Sequence, residues 1–255
     1  MTQQEILDAA MRQSAVDCSC SAEDFRRETN VVVESRPSAD ASRYLTNPNI
    51  CALFTYGSNV VASCRGDLIP EVEAFVNGMP KHHRCFEPQG IYELNRILQK
   101  ADARVTWMHS FYLPDLQAVF SAEVFCPYET RELHPEDFTD LYLPEWSNAL
   151  CSSRKELDML GIGAYDGGKL IGLAGCSADC AEMWQIGIDV LPEYRSKGIG
   201  AYLVTLLKNK IIEKGDIPFY GTAAANIHSQ NIAVRSGFKH AWVETEAMKI
   251  KEEKG

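Results

Sequence analysis

Ile186-Gly187-Ile188-Asp189-Val190-Leu191-Pro192-Glu193-Tyr194-Arg195-Ser196-Lys197-Gly198-Ile199-Gly200 is the stretch on which the reading of this chain turns. Its first residues are apolar and β-forming, and Pro192 ends the strand they make. Beyond it Ile199, Leu203, Leu206, Leu207 and Ile211 recur at helical spacing, which predicts a helix from Gly198 to about Glu213. A strand, a loop of small and basic residues and a helix start in that order make a place for phosphate. First-turn N–H groups have no intrahelical acceptor, and the helix dipole adds positive potential there. Gly198 and Gly200 put no side chain in the way of an approaching pyrophosphate. Arg195 and Lys197 add counter-charge.

Two other glycine-rich readings fail on their own chemistry. A dinucleotide fingerprint needs a further glycine where this chain has Leu203. Gly163-Ala164-Tyr165-Asp166-Gly167-Gly168-Lys169 approaches a P-loop, but Leu170 stands where a metal-binding Ser or Thr belongs. It also lies between two short strands, so a hairpin turn explains it.

Working outward, Leu170–Cys176 and Gly161–Tyr165 read as strands, as does Thr130–Leu133. Pro135 opens one helix, and a second is expected near residues 144–151. Downstream come a strand at 218–225, a short helix at 229–236 and two closing strands near 238–243 and 245–250. The N-terminal half reads as helix 3–16, strand 30–34, a hairpin of 51–56 with 60–63, helices 69–77 and 90–100, and strand 104–109. The whole is mixed α/β of the α+β type. A C-terminal domain over residues 126–255 carries a mixed, mainly antiparallel sheet flanked by helices. A smaller mixed α/β domain over residues 1–125 precedes it. Leu113-Pro114-Asp115 and Cys126-Pro127 bracket the junction.

The 255 residues are 45% hydrophobic and 24% charged, a composition that packs a core, and the formal net charge is −10. An acidic chain repels phosphate backbones, so no nucleic acid partner is expected; the charge reads first as surface solvation, with attraction of cationic substrates as the alternative. No apolar run reaches the length of a membrane span, and the N-terminus lacks a secretory pattern, so no membrane association and a cytoplasmic location are expected. The nine cysteines include no C-x-x-C pair, and His82-His83-Arg84-Cys85 lacks a second ligand pair. We expect buried reduced thiols and no metal.

Val190 through Leu203 resembles the coenzyme A-binding segment of the GNAT superfamily of acetyltransferases. Its signature of Arg or Gln, two residues, Gly, one residue, then Gly or Ala is met by Arg195, Gly198 and Gly200. Asn226, Ser229 and Gly237-Phe238 resemble the family's second motif, and the resemblance covers roughly residues 128–250. It implies acetyl-CoA as acyl donor. The pantetheine arm would pair with the backbone of Ile188 and Val190, with Asp189 between them. The pyrophosphate would sit on the amides of Arg195, Ser196, Lys197, Gly198, Ile199 and Gly200. Asn226 and Ser229 would approach from the other side. The family often places a Tyr seven residues after the Asn as general acid for the thiolate; here that residue is Ala233. Tyr202 and Tyr220 are substitutes to consider.

An amine acceptor must lose a proton before it attacks. Glu182, on the alternating face of Trp184 and Ile188, is the candidate base, with Asp179 and Glu145 behind it. Trp146, Trp184 and Trp242 are candidates to line an acceptor pocket. The expected function is acetyl transfer to the amine of a small acceptor by direct attack in a ternary complex. The alternative is a non-catalytic coenzyme A-binding sensor. The N-terminal half is expected to shape or cover the acceptor site, with a purely structural or dimerising role as the alternative, and a homodimer is left open.

Overall fold

The structure, a computed structural model, describes residues 1–118 and 125–250. It divides into two compact units, one of Met1–Ile6 with Tyr112–His240, the other of Leu7–Phe111 with the chain from Ala241. The expected division at 125/126 therefore differs from the compact units. One boundary, at 6/7, falls inside a helix, and those at 111/112 and 240/241 fall inside strands.

In the unit of residues 7–111, α1 (Gln3–Cys18) is followed by β1 (Val31–Glu34), β2 (Cys51–Thr55) and β3 (Val61–Cys64). Then come α2 (Ile69–Gly78), α3 (Pro88–Leu98) and β4 (Ala103–Pro114). β2 and β3 form the expected antiparallel hairpin, and β1 runs parallel to β3. The closing strand, β10 (Phe238–Lys249), pairs antiparallel with β2 through Val243–Ala247. It is one strand where two were expected. No Gly or Pro interrupts Val243-Glu244-Thr245, so nothing turns the chain there. Leu53, Leu68, Val72, Val76, Leu94 and Leu98 fill the core between sheet and helices.

The other unit carries β5 (Glu129–Leu133), β6 (Asp158–Asp166), β7 (Lys169–Ser177), β8 (Met183–Val190) and β9 (Ile217–Ala223). Its helices are α4 (Ile199–Lys214) and α5 (Ile227–Arg235). Strand order is β9-β8-β7-β6-β5. β5 to β8 are antiparallel neighbours, and β8 with β9 is parallel. Ile199, Leu203, Leu207 and Ile211 make the buried stripe of α4. At about 1.5–3 kcal/mol for each fully buried aliphatic side chain, that stripe seats the helix on the sheet. Gly215, left-handed at φ 93°, ends it and takes up the last carbonyls.

Residues 144–151 do not form the expected helix; only Pro144–Trp146 is helical, as a 3-10 turn. The backbone N–H groups of Asn148 and Ala149, which a helix would use internally, are given to the carboxylate of Asp189 instead.

Candidate functional site

β8 and β9 are paired only at one end. Met183↔Ile217, Trp184↔Pro218, Gln185↔Phe219 and Ile186↔Tyr220 are in register, and the ladder stops there. On its other side β8 stays paired with β7 as far as Val190↔Gly172. Beyond Ile186 the β8 backbone keeps its partner in β7 and has no ladder partner in β9, while Val190 O is taken by Arg195 Nε. An extended, amide-bearing ligand satisfies such backbone groups.

The loop that follows leads straight to the first turn of α4. Ser196 is left-handed at φ 62° and Gly198, the N-cap, at φ 82°. The first intrahelical bond is Tyr202 N–H to Gly198 O at 3.1 Å, so the amides of residues 199–201 precede the helical ladder. A β-carbon on Gly198 would have one neighbour within 4 Å, the carbonyl oxygen of Phe125 at 3.8 Å, so its approach is open. Gly200 differs. It is buried, and a β-carbon there would meet Ile232 Cδ1 at 3.2 Å and Ile188 Cγ1 at 3.5 Å. Its missing side chain lets α4 lie against α5 and β8. Ile199 is likewise a core residue, offering only its backbone to a ligand. Arg195 donates from Nε to Val190 O at 2.9 Å, which fixes the guanidinium beside the end of β8. Lys197 Nζ lies 5.0 Å over the Tyr194 ring. These features suit a pyrophosphate: open amides at a helix start, two basic side chains and no obstruction at Gly198.

The side chains of Ile188 and Val190 pack into the core beneath α4. Asp189 points the other way and holds a loop. Its carboxylate accepts from Asn148 N at 2.8 Å, Asn148 Nδ2 at 2.6 Å and Ala149 N at 3.0 Å. That loop lies on Gly175 and Gly187, paired across β7 and β8, and Gly161 on β6 continues the row beneath the Phe138 ring. A β-carbon on Gly187 would stand 1.8 Å from Asn148 O, and one on Gly175 would stand 2.1 Å from Ala149 O. Sequence reasoning missed Gly175, Gly187 and Asn148. The available signal was glycine inside a strand pattern, which marks close backbone approach.

Asn226 caps α5, its Oδ1 accepting from Ser229 N at 3.2 Å. Ser229 Oγ in turn shares a hydrogen bond of 2.8 Å with the hydroxyl of Tyr220, the last β9 residue laddered to β8. Burial holds the Tyr220 phenol above its usual range, although the bond to Ser229 opposes this. Ala233 is fully buried in the same core cluster as Tyr220.

Glu182 is exposed and precedes β8 at its closed end, where Glu182 O accepts from Ile217 N at 3.2 Å. Roughly 20 Å of extended chain separates it from Ile188, so a base at Glu182 reaches an amine at the open end only through intervening water. Asp179 is buried against Arg154 Nε at 2.9 Å, and Glu145 is exposed. Trp146 is buried with Leu133, Phe138 and Leu173, while Trp242 belongs to the other unit, stacked on Phe111 and Tyr56. Cys176 and Cys180 are buried, and desolvation pushes the Cys176 thiol up to about 12. Among the described residues no group of three or more His, Cys, Asp or Glu is placed to hold a metal, and no helix is long and apolar enough to cross a membrane.

The model of the acetyltransferase (GNAT) family matches residues 127–238, which contain the half-open strand pair, α4 and α5. No curated protein matches the chain. Among solved structures, a GNAT-family acetyltransferase from Colwellia psychrerythraea is 16% identical over 62% of this chain and 62% of its own, with TM-score 0.43. A GCN5-related N-acetyltransferase-like protein from Streptococcus suis is 16% identical over 60% of this chain and 67% of its own, with TM-score 0.44. A GCN5-related N-acetyltransferase from Kribbella flavida is 11% identical over 63% of this chain and 65% of its own, with TM-score 0.49. At these identities and TM-scores the neighbours say nothing of the activity or the acceptor. The C-terminal part of the chain, over residues 127–238, is a domain of the acetyltransferase (GNAT) family.

Proposed function

We propose that this domain transfers the acetyl group of acetyl-CoA to an amine by direct attack in a ternary complex. The observation that carries the reading is the half-open pair: β8 leaves β9 at Ile186↔Tyr220, and the open stretch runs straight to the uncapped start of α4. A pantetheine arm fits along residues 187–190, and a pyrophosphate fits the amides of 198–200 with Arg195 and Lys197. Holding both reactants side by side removes much of the entropic barrier to their reaction. A backbone N–H of β8 near Ile188 would bind the oxyanion that develops on the thioester carbonyl. The burial of Cys176 and Cys180, with the raised Cys176 thiol, supports direct attack over an acetyl-cysteine relay.

Initial rates measured over both substrates, with a panel of small primary amines, test this. Intersecting lines in double-reciprocal form support a ternary complex. Parallel lines with an acetylated cysteine found by mass spectrometry overturn it. Ala233, where a hydroxyl would assist the leaving thiolate, favours the second reading, a coenzyme A-binding sensor. That reading wins if acetyl-CoA binds and no amine in the panel is acetylated.

A further inference from the structure

At the mouth of the half-open strand pair two hydroxyls meet. Tyr220 is the last β9 residue laddered to β8, and its Oη lies 2.8 Å from Ser229 Oγ. Ser229 sits in the first turn of α5, held by the cap from Asn226, and is partly exposed, whereas Tyr220 is 2% exposed. The buried hydroxyl thus stands behind the accessible one. Ser229 and Ala233 are one turn apart and share a helix face. Ser236, on the next turn, is fully buried and gives its hydroxyl to Ala201 O at 3.0 Å. Ser229 is therefore the hydroxyl of this face that stands at the open end of the strands.

We propose that Ser229 donates a hydrogen bond to the sulfur that departs from the thioester, and that Tyr220 acts behind it as a positioning residue, donating to Ser229 Oγ. The inference rests on the acetyl-CoA reading above. In the step, the amine nitrogen bonds to the acetyl carbon and the carbon–sulfur bond breaks with its electron pair going to sulfur. The proton lost by the amine leaves through water. Both hydroxyls keep their protons. The magnitudes decide between hydrogen bonding and proton transfer: a thiol titrates near ~8.5 and a phenol near ~10, and burial raises Tyr220 further. Giving up the phenol proton to the thiolate would be uphill, whereas a chain of two neutral donors stabilises the thiolate without that cost.

The test is the ionisation of coenzyme A bound to the protein, followed by thiolate ultraviolet absorbance across pH at saturating coenzyme. A donor on sulfur favours the charged form. The bound thiol is expected to titrate about one unit below free coenzyme A, a tenfold shift in its acid constant. Ser229→Ala should return it to the free value. Tyr220→Phe, which keeps the ring in the core, should return it part of the way. Ser229→Thr should keep the shift. An unchanged bound value in both Ser229→Ala and Tyr220→Phe overturns the inference while leaving the acetyl-CoA site standing. Failure of the wild-type protein to bind coenzyme A overturns the site reading and the inference with it.

Discussion

The carbonyl oxygen of Asn148 lies 1.8 Å from where a β-carbon on Gly187 would be. No side chain fits between them, so the loop of Asn148 and Ala149 rests directly on the sheet. Gly187 is also the first β8 residue beyond the ladder with β9. The loop therefore covers one face of the sheet where the strands part.

Gly187→Ala must push that loop away. A cost of about 3 kcal/mol is expected, the upper range for overpacking against backbone. Gly78→Ala is the control, since nothing lies within 4 Å of its added carbon. Urea unfolding should show a lowered midpoint for Gly187→Ala and almost none of that loss for Gly78→Ala.

Asp189→Ala removes three hydrogen bonds from the same loop. The pair is partly solvated, so a loss of about 1–2 kcal/mol is expected. Hydrogen exchange gives the sharper readout. The Asn148 and Ala149 amides should lose protection in the variant, while the β7–β8 amides keep theirs.

The two glycines of the phosphate loop should separate by variant. Gly198→Ala forces a side chain to φ 82°, a strain of about 1–2 kcal/mol, in the loop expected to take the pyrophosphate. It should weaken acetyl-CoA binding tenfold or more, with a small fall in Tm. Gly200→Val meets Ile232 and Ile188 in the core, so its main effect should be a large fall in Tm. Titration calorimetry and thermal unfolding together check the pair. Equal effects of the two variants on both readouts would contradict the placement of Gly200 in the core.

The helix at α4 was readable because its apolar residues recur at helical spacing behind a Pro and a pair of glycines, signals local in sequence. The hairpin of β2 and β3 was readable from its turn residues in the same way. The loop at 147–150 was not. Its backbone donors are satisfied by Asp189, about forty residues away, and no local pattern reports a partner at that distance. Gly200 read as a ligand glycine from its spacing in the loop, because what it faces is decided by α5. The join of Tyr220 to Ser229 spans a strand end and a helix start and likewise became visible only in the fold.

The unit of residues 7–111 and 241 onward should be more stable in mild acid. Burial raises Asp17 to about 6, sets Glu244 well above the carboxylate range and raises Glu246. One Glu244 carboxylate oxygen has no hydrogen-bond partner. A carboxyl whose pKa is raised on folding holds its proton longer in the folded state. Its stability is therefore full below the unfolded value and is lost as pH rises through the folded value. For Asp17 that window runs from 3.8 to about 6, an effect of about 3 kcal/mol at most. Unfolding followed by Trp107 and Trp242 fluorescence should be harder at pH 5 than at pH 8. Glu244→Gln should stabilise the protein at pH 8 and flatten the dependence. A rise in stability from pH 5 to pH 8 would contradict these assignments.

The central claim is that acetyl-CoA lies along the open end of β8 and at the start of α4, and amide hydrogen exchange with and without saturating acetyl-CoA tests it most directly. The account predicts new protection at residues 187–190 and 198–201, with little change at 183–186, which are already laddered to β9. Saturation by acetyl-CoA with no added protection in either segment would contradict it.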